Sequence, residues 1–256
     1  MFMTGLRIPM ALLMVAALVA VPRFVSAQEK PQAEVEAILK RAVEAAGGEE
    51  VVKKHRSTLS KGKFVIAGQG LEGSLEIRAA APNRFLLLID LPGVGRVENG
   101  FDGKIGWASD PINGPRLIQG KELEELKVQA DYDSDLFKLD DYKEIKNQGV
   151  VDFEGEKCHK LEMTRKETGK TETRFFSVAS GLLTGVITKS ETPMGELDIT
   201  VVVGNYKEFE GQKIATNVDT RIGPITQTFI IETVEFNVLK DSDFEVPSQI
   251  KALIRD

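Results

Sequence analysis

Two histidines, one cysteine and three alternating aspartates are the residues of this 256-residue chain whose grouping would be most telling. Cys158 and His159 are adjacent in a run that alternates polar and apolar residues. On a strand their side chains point to opposite faces, so they cannot work as nucleophile and base. His159 shares its face with Leu161 and Met163 and reads as a core or rim residue, while Cys158 reads as a small packing residue. His55 lies in a Lys/Arg-rich turn and is expected to be exposed. Asp131, Asp133 and Asp135 alternate as calcium ligands do, but the sharp-turn glycine is missing. Tyr142 stands where the bidentate carboxylate should be. No His/Cys/Asp spacing fits zinc. Gly68-Gln69-Gly70 and Gly93-Val94-Gly95 do not open a helix after a strand, so they make no nucleotide-binding loop. Ser180-Gly181 sits in a hairpin turn and lacks the strand-to-helix setting of a nucleophile elbow. No catalytic group, metal or cofactor is expected, and the chain reads as a non-enzyme.

What the sequence supplies in surplus is apolar strand surface. Pro82 to Pro111 contains the strand Phe85–Leu91 and the turn Asp102-Gly103-Lys104, followed by Trp107, the only tryptophan. Asp-Gly between extended runs is a strong hairpin signal. Phe85, Leu87, Ile89 and Leu91 share one strand face, and Leu86 and Leu88 lie on the other. A strand apolar on both sides must be covered twice, by another element or by a ligand.

The elements around it follow from periodicity. Pro31 to Ala46 carries an apolar stripe of Val35, Ile38, Leu39, Ala42, Val43 and Ala46, and is stopped by Gly47-Gly48. Gly120 to Phe137 reads as a second helix with Leu123, Leu126 and Val128 as its apolar contacts. Strand-length runs separated by short Gly-containing turns fill the rest and predict an antiparallel meander. Ten or so strands would curl strongly, giving a mainly β fold with helices (α+β). Its expected form is an incomplete antiparallel β-barrel with a helical lid over an apolar cavity.

The first 27 residues read as a signal peptide: one early positive charge, an apolar run from Ile8 to Val21, and a Val25-Ser26-Ala27 cleavage site. Cleavage after Ala27 would leave a single domain, residues 28–256, in an extracytoplasmic space. It would begin at Gln28 rather than at an acylated cysteine. Loss of Arg7 and Arg23 leaves 31 basic against 39 acidic residues, a net charge of −8. That sign argues against nucleic acid or an anionic membrane surface as main partner. The single cysteine allows no internal disulfide, so packing must supply the stability.

The order of several motifs resembles the LolA/LolB superfamily of outer-membrane lipoprotein carriers. They are Pro82-Asn83-x-Phe85, the Asp102-Gly103-Lys104 turn with Trp107 and Pro111, Phe175-Phe176-Ser177 with Ser180-Gly181-Leu182-Leu183, Asn205 to Lys213, and Asp243-Phe244-x-x-Pro247. The resemblance implies a periplasmic carrier that shields lipid or lipoprotein acyl chains in an apolar cavity. It also implies a monomer that meets transport proteins at the inner and outer membranes. The second reading is an envelope-stress sensor or accessory protein-binding domain on the same fold. The expected cavity lining is Phe64, Ile66, Leu75, Ile77, Phe85, Leu87, Ile89, Trp107, Leu161, Met163, Ile199, Val201, Phe229 and Ile231. The family's arginine before Pro-Asn, which latches its lid, is replaced here by Ala81. Arg78 and Arg84 are the substitute latch residues to consider.

Overall fold

The computed structural model describes residues 29–192 and 195–254. The expected signal segment therefore lies outside the described residues. Two helices open the described residues, α1 (Glu29–Ala45) and α2 (Glu49–Lys54). A first run of strands follows: β1 (Ser57–Ile66), β2 (Leu71–Ala80), β3 (Arg84–Leu91), β4 (Gly95–Phe101), β5 (Gly106–Asp110) and β6 (Gly114–Ile118). Helix α3 (Gly120–Ala130) leads to the second run. This comprises β7 (Tyr142–Phe153), β8 (Glu156–Arg165), β9 (Thr171–Ser177), β10 (Leu183–Thr192), β11 (Gly195–Phe209), β12 (Gln212–Ile222) and β13 (Ile225–Phe236). A short helix α4 (Ser248–Lys251) ends the described chain.

The 13 strands form one antiparallel sheet in the order β6-β5-β4-β3-β2-β1-β13-β12-β11-β10-β9-β8-β7. Each run is a meander, and the two are joined by the β1–β13 pair, where Phe64 stands opposite Phe229. Strands β6 and β7 remain unpaired edges, so the sheet is not closed. Helix α3 nevertheless touches both ends. Its Leu126 and Ala130 pack on Phe85, Phe101 and Ile118, and its Glu125 pairs with Lys170 of the β8–β9 turn at 3.0 Å. One 11-residue helix, about 16 Å long, can reach both ends only if the sheet curls around it. The expected incomplete barrel is thus an open curved sheet with α3 in its seam.

The helix expected over Gly120–Phe137 ends at Ala130. Asp131 stops it, because its side-chain Oδ1 accepts a hydrogen bond from the Asp133 N–H at 3.1 Å and turns the backbone away. Two short 3₁₀ turns, Ser134–Leu136 and Leu139–Asp141, carry the chain to β7. The Asp102-Gly103 turn forms as its sequence predicts. The Asp102 carboxylate accepts from the N–H groups of Lys104 and Ile105 at 2.8 and 2.7 Å, and Gly103 takes a φ of +102°.

Both long helices lie on one side of the sheet. The opposite, outer side of β3 is covered by the C-terminal segment. Leu86 and Trp107 are buried there with Phe244, Val246 and Ile250. This corrects the expected position of Trp107. It stands opposite Gly100, which is opposite Leu86, so it belongs to the outer face and not with Phe85 and Leu87. Its indole crosses Gly100 so closely that a Cβ there would sit 2.2 Å from the ring. Its Nε1–H donates to Glu98 at 2.6 Å, which satisfies its one polar atom.

Arg78 and Arg84 also serve the outer face. Arg78 donates to the Asp243 carbonyl at 2.9 Å. Arg84 pairs with Asp241 at 2.6 Å and lies over the Phe244 ring. Among the described residues these contacts hold the C-terminal segment on the outer face.

Candidate functional site

The inner face divides into three zones set by what covers each. At the β7–β9 end, α1 lays its apolar stripe of Val35, Ile38, Leu39 and Ala42 on Leu161, Met163 and Phe176. Phe137 and Tyr142 close the same cluster. Arg41 fastens the helix by donating to the Ala179 carbonyl at 2.9 Å. Leu161 and Met163 are completely buried. At the β3–β6 end, α3 covers Phe85 and Phe101.

Between these ends lies a patch with no helix residue in it. Phe64, Leu75, Ile89, Leu91 and Ile231 are its buried members, and Ile66, Ile77, Leu87 and Phe229 are half-buried around them. Ile77 and Leu87 also belong to the cluster under α3, so the patch runs continuously beneath that helix. The register explains the continuity: Leu75 faces Ile89, Ile77 faces Leu87, and Phe64 faces Phe229. Every second residue of four adjacent strands therefore points to the same side.

Eight of the expected lining residues thus lie together: Phe64, Ile66, Leu75, Ile77, Leu87, Ile89, Phe229 and Ile231. Phe85, Leu161 and Met163 are on the same side but roofed by the helices. Ile199 and Val201 stand further along it on β11, opposite Ile222 and Thr220, and are half-buried. Only Trp107 is on the wrong face.

A cavity of about 390 Å³ opens between α3 and strands β8–β10. That volume lies within the range of small-molecule sites. Ile118, Leu126 and Val128 make one wall, and Arg165, Glu172, Arg174 and Thr188 make the other. A second groove of about 310 Å³ runs beside α1, past Ile38, Arg41, His159 and Phe176.

The charged residues at the first cavity are mostly paired. Arg116 holds Glu122 at 2.6 Å and keeps its carboxyl below the ordinary range, burial opposing that effect. Arg174 pairs with Glu172 at 2.7 Å and lies 5.2 Å over the Phe137 ring. The Tyr142 hydroxyl is buried without a hydrogen-bond partner. Burial pushes its pKa up, while nearby Arg174 and Arg165 pull the other way.

Sequence reasoning missed Arg165 and Arg174 because it sought apolar lining. The signal was present, since Arg165 continues the inward series Leu161, Met163 on β8, and Arg174 stands opposite Leu161. His55 also departs from expectation. It is 1 % exposed, stacked on Phe236 at 3.6 Å, with Nδ1 2.9 Å from the Gln212 side-chain oxygen. Among the described residues no cluster of three or more His, Cys, Asp or Glu could hold a metal, and no helix is long and apolar enough to cross a membrane.

No family model matches the chain, and no curated protein matches it in sequence. Solved structures do match. A DUF1329 family protein from Desulfovibrio piger aligns over 82 % of this chain and 97 % of its own, with a TM-score of 0.57 and 16 % identity. A LolA superfamily protein from Nitrosomonas europaea covers the same shares at a TM-score of 0.55 and 13 % identity. A putative outer membrane lipoprotein-sorting protein domain from Vibrio parahaemolyticus covers 82 % of this chain and 96 % of its own, at 0.52 and 16 %. The open curved sheet, the helices on its inner side and these three likenesses together give this chain the LolA-like fold.

Proposed function

We propose that this protein is a periplasmic carrier that binds acyl chains, of lipid or of lipoprotein, on its inner apolar face during transport toward the outer membrane. The observation that carries the reading is the patch of Phe64, Ile77, Leu87 and Phe229 with their neighbours. It is contiguous, partly open, and covered by helix α3 only at its Ile77 and Leu87 end. Each methylene buried there contributes about 0.8 kcal/mol, so a long chain contributes on the order of 10 kcal/mol before ordering costs. A carrier needs this surface and no reactive group, which suits the uncatalytic residue set. The fold is shared with a putative outer membrane lipoprotein-sorting protein domain, and the expected signal peptide would deliver this chain to an extracytoplasmic space. Docking to transport proteins of the inner and outer membranes belongs to the same reading.

Native mass spectrometry of gently purified protein, together with titration of a fluorescent fatty acid, tests the proposal. Co-purifying acyl species and saturable uptake are expected. Absence of both sinks it, and a stoichiometric protein partner recovered without lipid would favour a protein-binding domain instead.

A further inference from the structure

Arg165 is an unusual residue for an inward position. Its side chain is nine-tenths buried, with 9 % of the residue exposed. Its guanidinium nitrogens are not among the enclosed polar atoms of the described residues, so they open onto a cavity, where a counter-charge or hydrogen bonds can meet them. Among the described residues its guanidinium has no ion pair and no hydrogen bond; its one close partner is the Tyr142 ring, 5.1 Å away. Yet it lines the cavity between α3 and β8–β10.

The other charges of that cavity do not offset it. Three carboxylates line it, and each already has a basic partner: Glu122 has Arg116, Glu125 has Lys170, and Glu172 has Arg174. Arg165 is the cation left over. On the other side of Arg165 a neighbouring cavity presents Asp131, Asp140, Asp141 and Glu167 against Lys127 and Lys166, so an anion is better favoured from the α3–β9 side.

The position relative to the apolar patch matters. Leu126, at the same cavity, packs in the cluster that includes Ile77 and Leu87, and those two continue into the patch. A cation thus stands at the end of an apolar track. We propose that Arg165 receives the anionic headgroup, carboxylate or phosphate, of an acyl amphiphile whose chain lies along that track. The inference rests on the carrier reading and names its substrate class.

Calorimetric titration of the purified, delipidated protein with four probes of one chain length tests it: hexadecanoic acid, hexadecyl phosphate, hexadecanol and hexadecylamine. A hydrogen bond to a charged group is worth a factor of about ten or more in affinity. The acid and the phosphate should bind at least about tenfold tighter than the alcohol, and the amine weakest. Arg165→Gln should erase that preference while leaving the alcohol's affinity unchanged, which also certifies the fold. Arg165→Lys should keep part of it. Equal binding of all four probes by the wild-type protein overturns the headgroup assignment and leaves the carrier reading standing. Binding of none overturns both. If inorganic phosphate binds as tightly as hexadecyl phosphate, the site is one for a free anion and the amphiphile assignment is wrong.

Discussion

Strand β3 shows two answers to the same problem, one on each of its faces. On the outer face, Leu86 and Leu88 meet the chain's own C-terminal segment, and Trp107 and Phe244 are fully enclosed. On the inner face, Leu87 and Ile89 meet α3 at one end and a half-open apolar patch at the other. Equal apolarity therefore has unequal meaning. The outer side is core, finished by polypeptide, and its residues set stability. The inner side is only partly covered by polypeptide, and on the proposed reading its residues receive a ligand.

Substitutions on the two faces should separate these roles. Phe244→Ala empties the middle of the outer cluster and is expected to cost about 3–5 kcal/mol, measured by urea unfolding, with acyl binding at low denaturant unchanged. A loss of binding in the folded variant would blur the distinction between the faces. Gly100→Ala forces a methyl against the Trp107 indole. It should cost about 1–3 kcal/mol by overpacking and shift the tryptophan emission. Leu87→Gln, at a half-buried inner site, should cost less than about 2 kcal/mol of stability but weaken acyl binding about tenfold. Unchanged binding would show that the patch is ordinary core.

Alkaline pH probes both faces at once. Burial raises the pKa of the Tyr142 hydroxyl on the inner face and of the Cys158 thiol on the outer face. The folded state then holds these protons more firmly than the unfolded chain. Their contribution to stability is complete below the ordinary thiol value and is lost as pH rises through the elevated values. Denaturation midpoints should fall accordingly, and Cys158→Ala should remove the earlier part of the fall. The smallest effect belongs to Asp90→Asn. Its pair with Arg96 at 2.7 Å is exposed on both sides and should be worth less than about 1 kcal/mol in urea unfolding.

Much of this architecture is legible in the residues. Alternation placed Leu75, Ile77, Leu87 and Ile89 on one face, and the register agrees. The Asp102-Gly103 turn was readable because an aspartate side chain replaces missing backbone partners there. The face of Trp107 was not readable. Alternation has to be carried across the loop between Phe101 and Gly106, and one step of phase moves a residue to the other side of the sheet. The burial of His55 was hidden for a different reason. Its partners, Phe236 and Gln212, lie more than 150 positions away, so local composition gave no hint. Arg78 and Arg84 stand near Pro82, yet beside the local Arg78–Glu76 pair they reach the Asp243 carbonyl and the Asp241 carboxylate near the other end of the chain.

The unpaired edges at β6 and β7 bear on solubility. A free edge offers its hydrogen-bonding groups to any other strand, including one from a second copy. Here β6 is five residues long and contains Pro115, which has no N–H to give. Strand β7 is long, but its pairing with β8 shifts register twice, at Tyr142/Glu144 and at Asn147/Val150. Its exposed positions include Lys143 and Lys146. One edge is too short to template a neighbour, and the other is irregular and charged. The open sheet can thus keep its seam for a helix without inviting edge-to-edge aggregation.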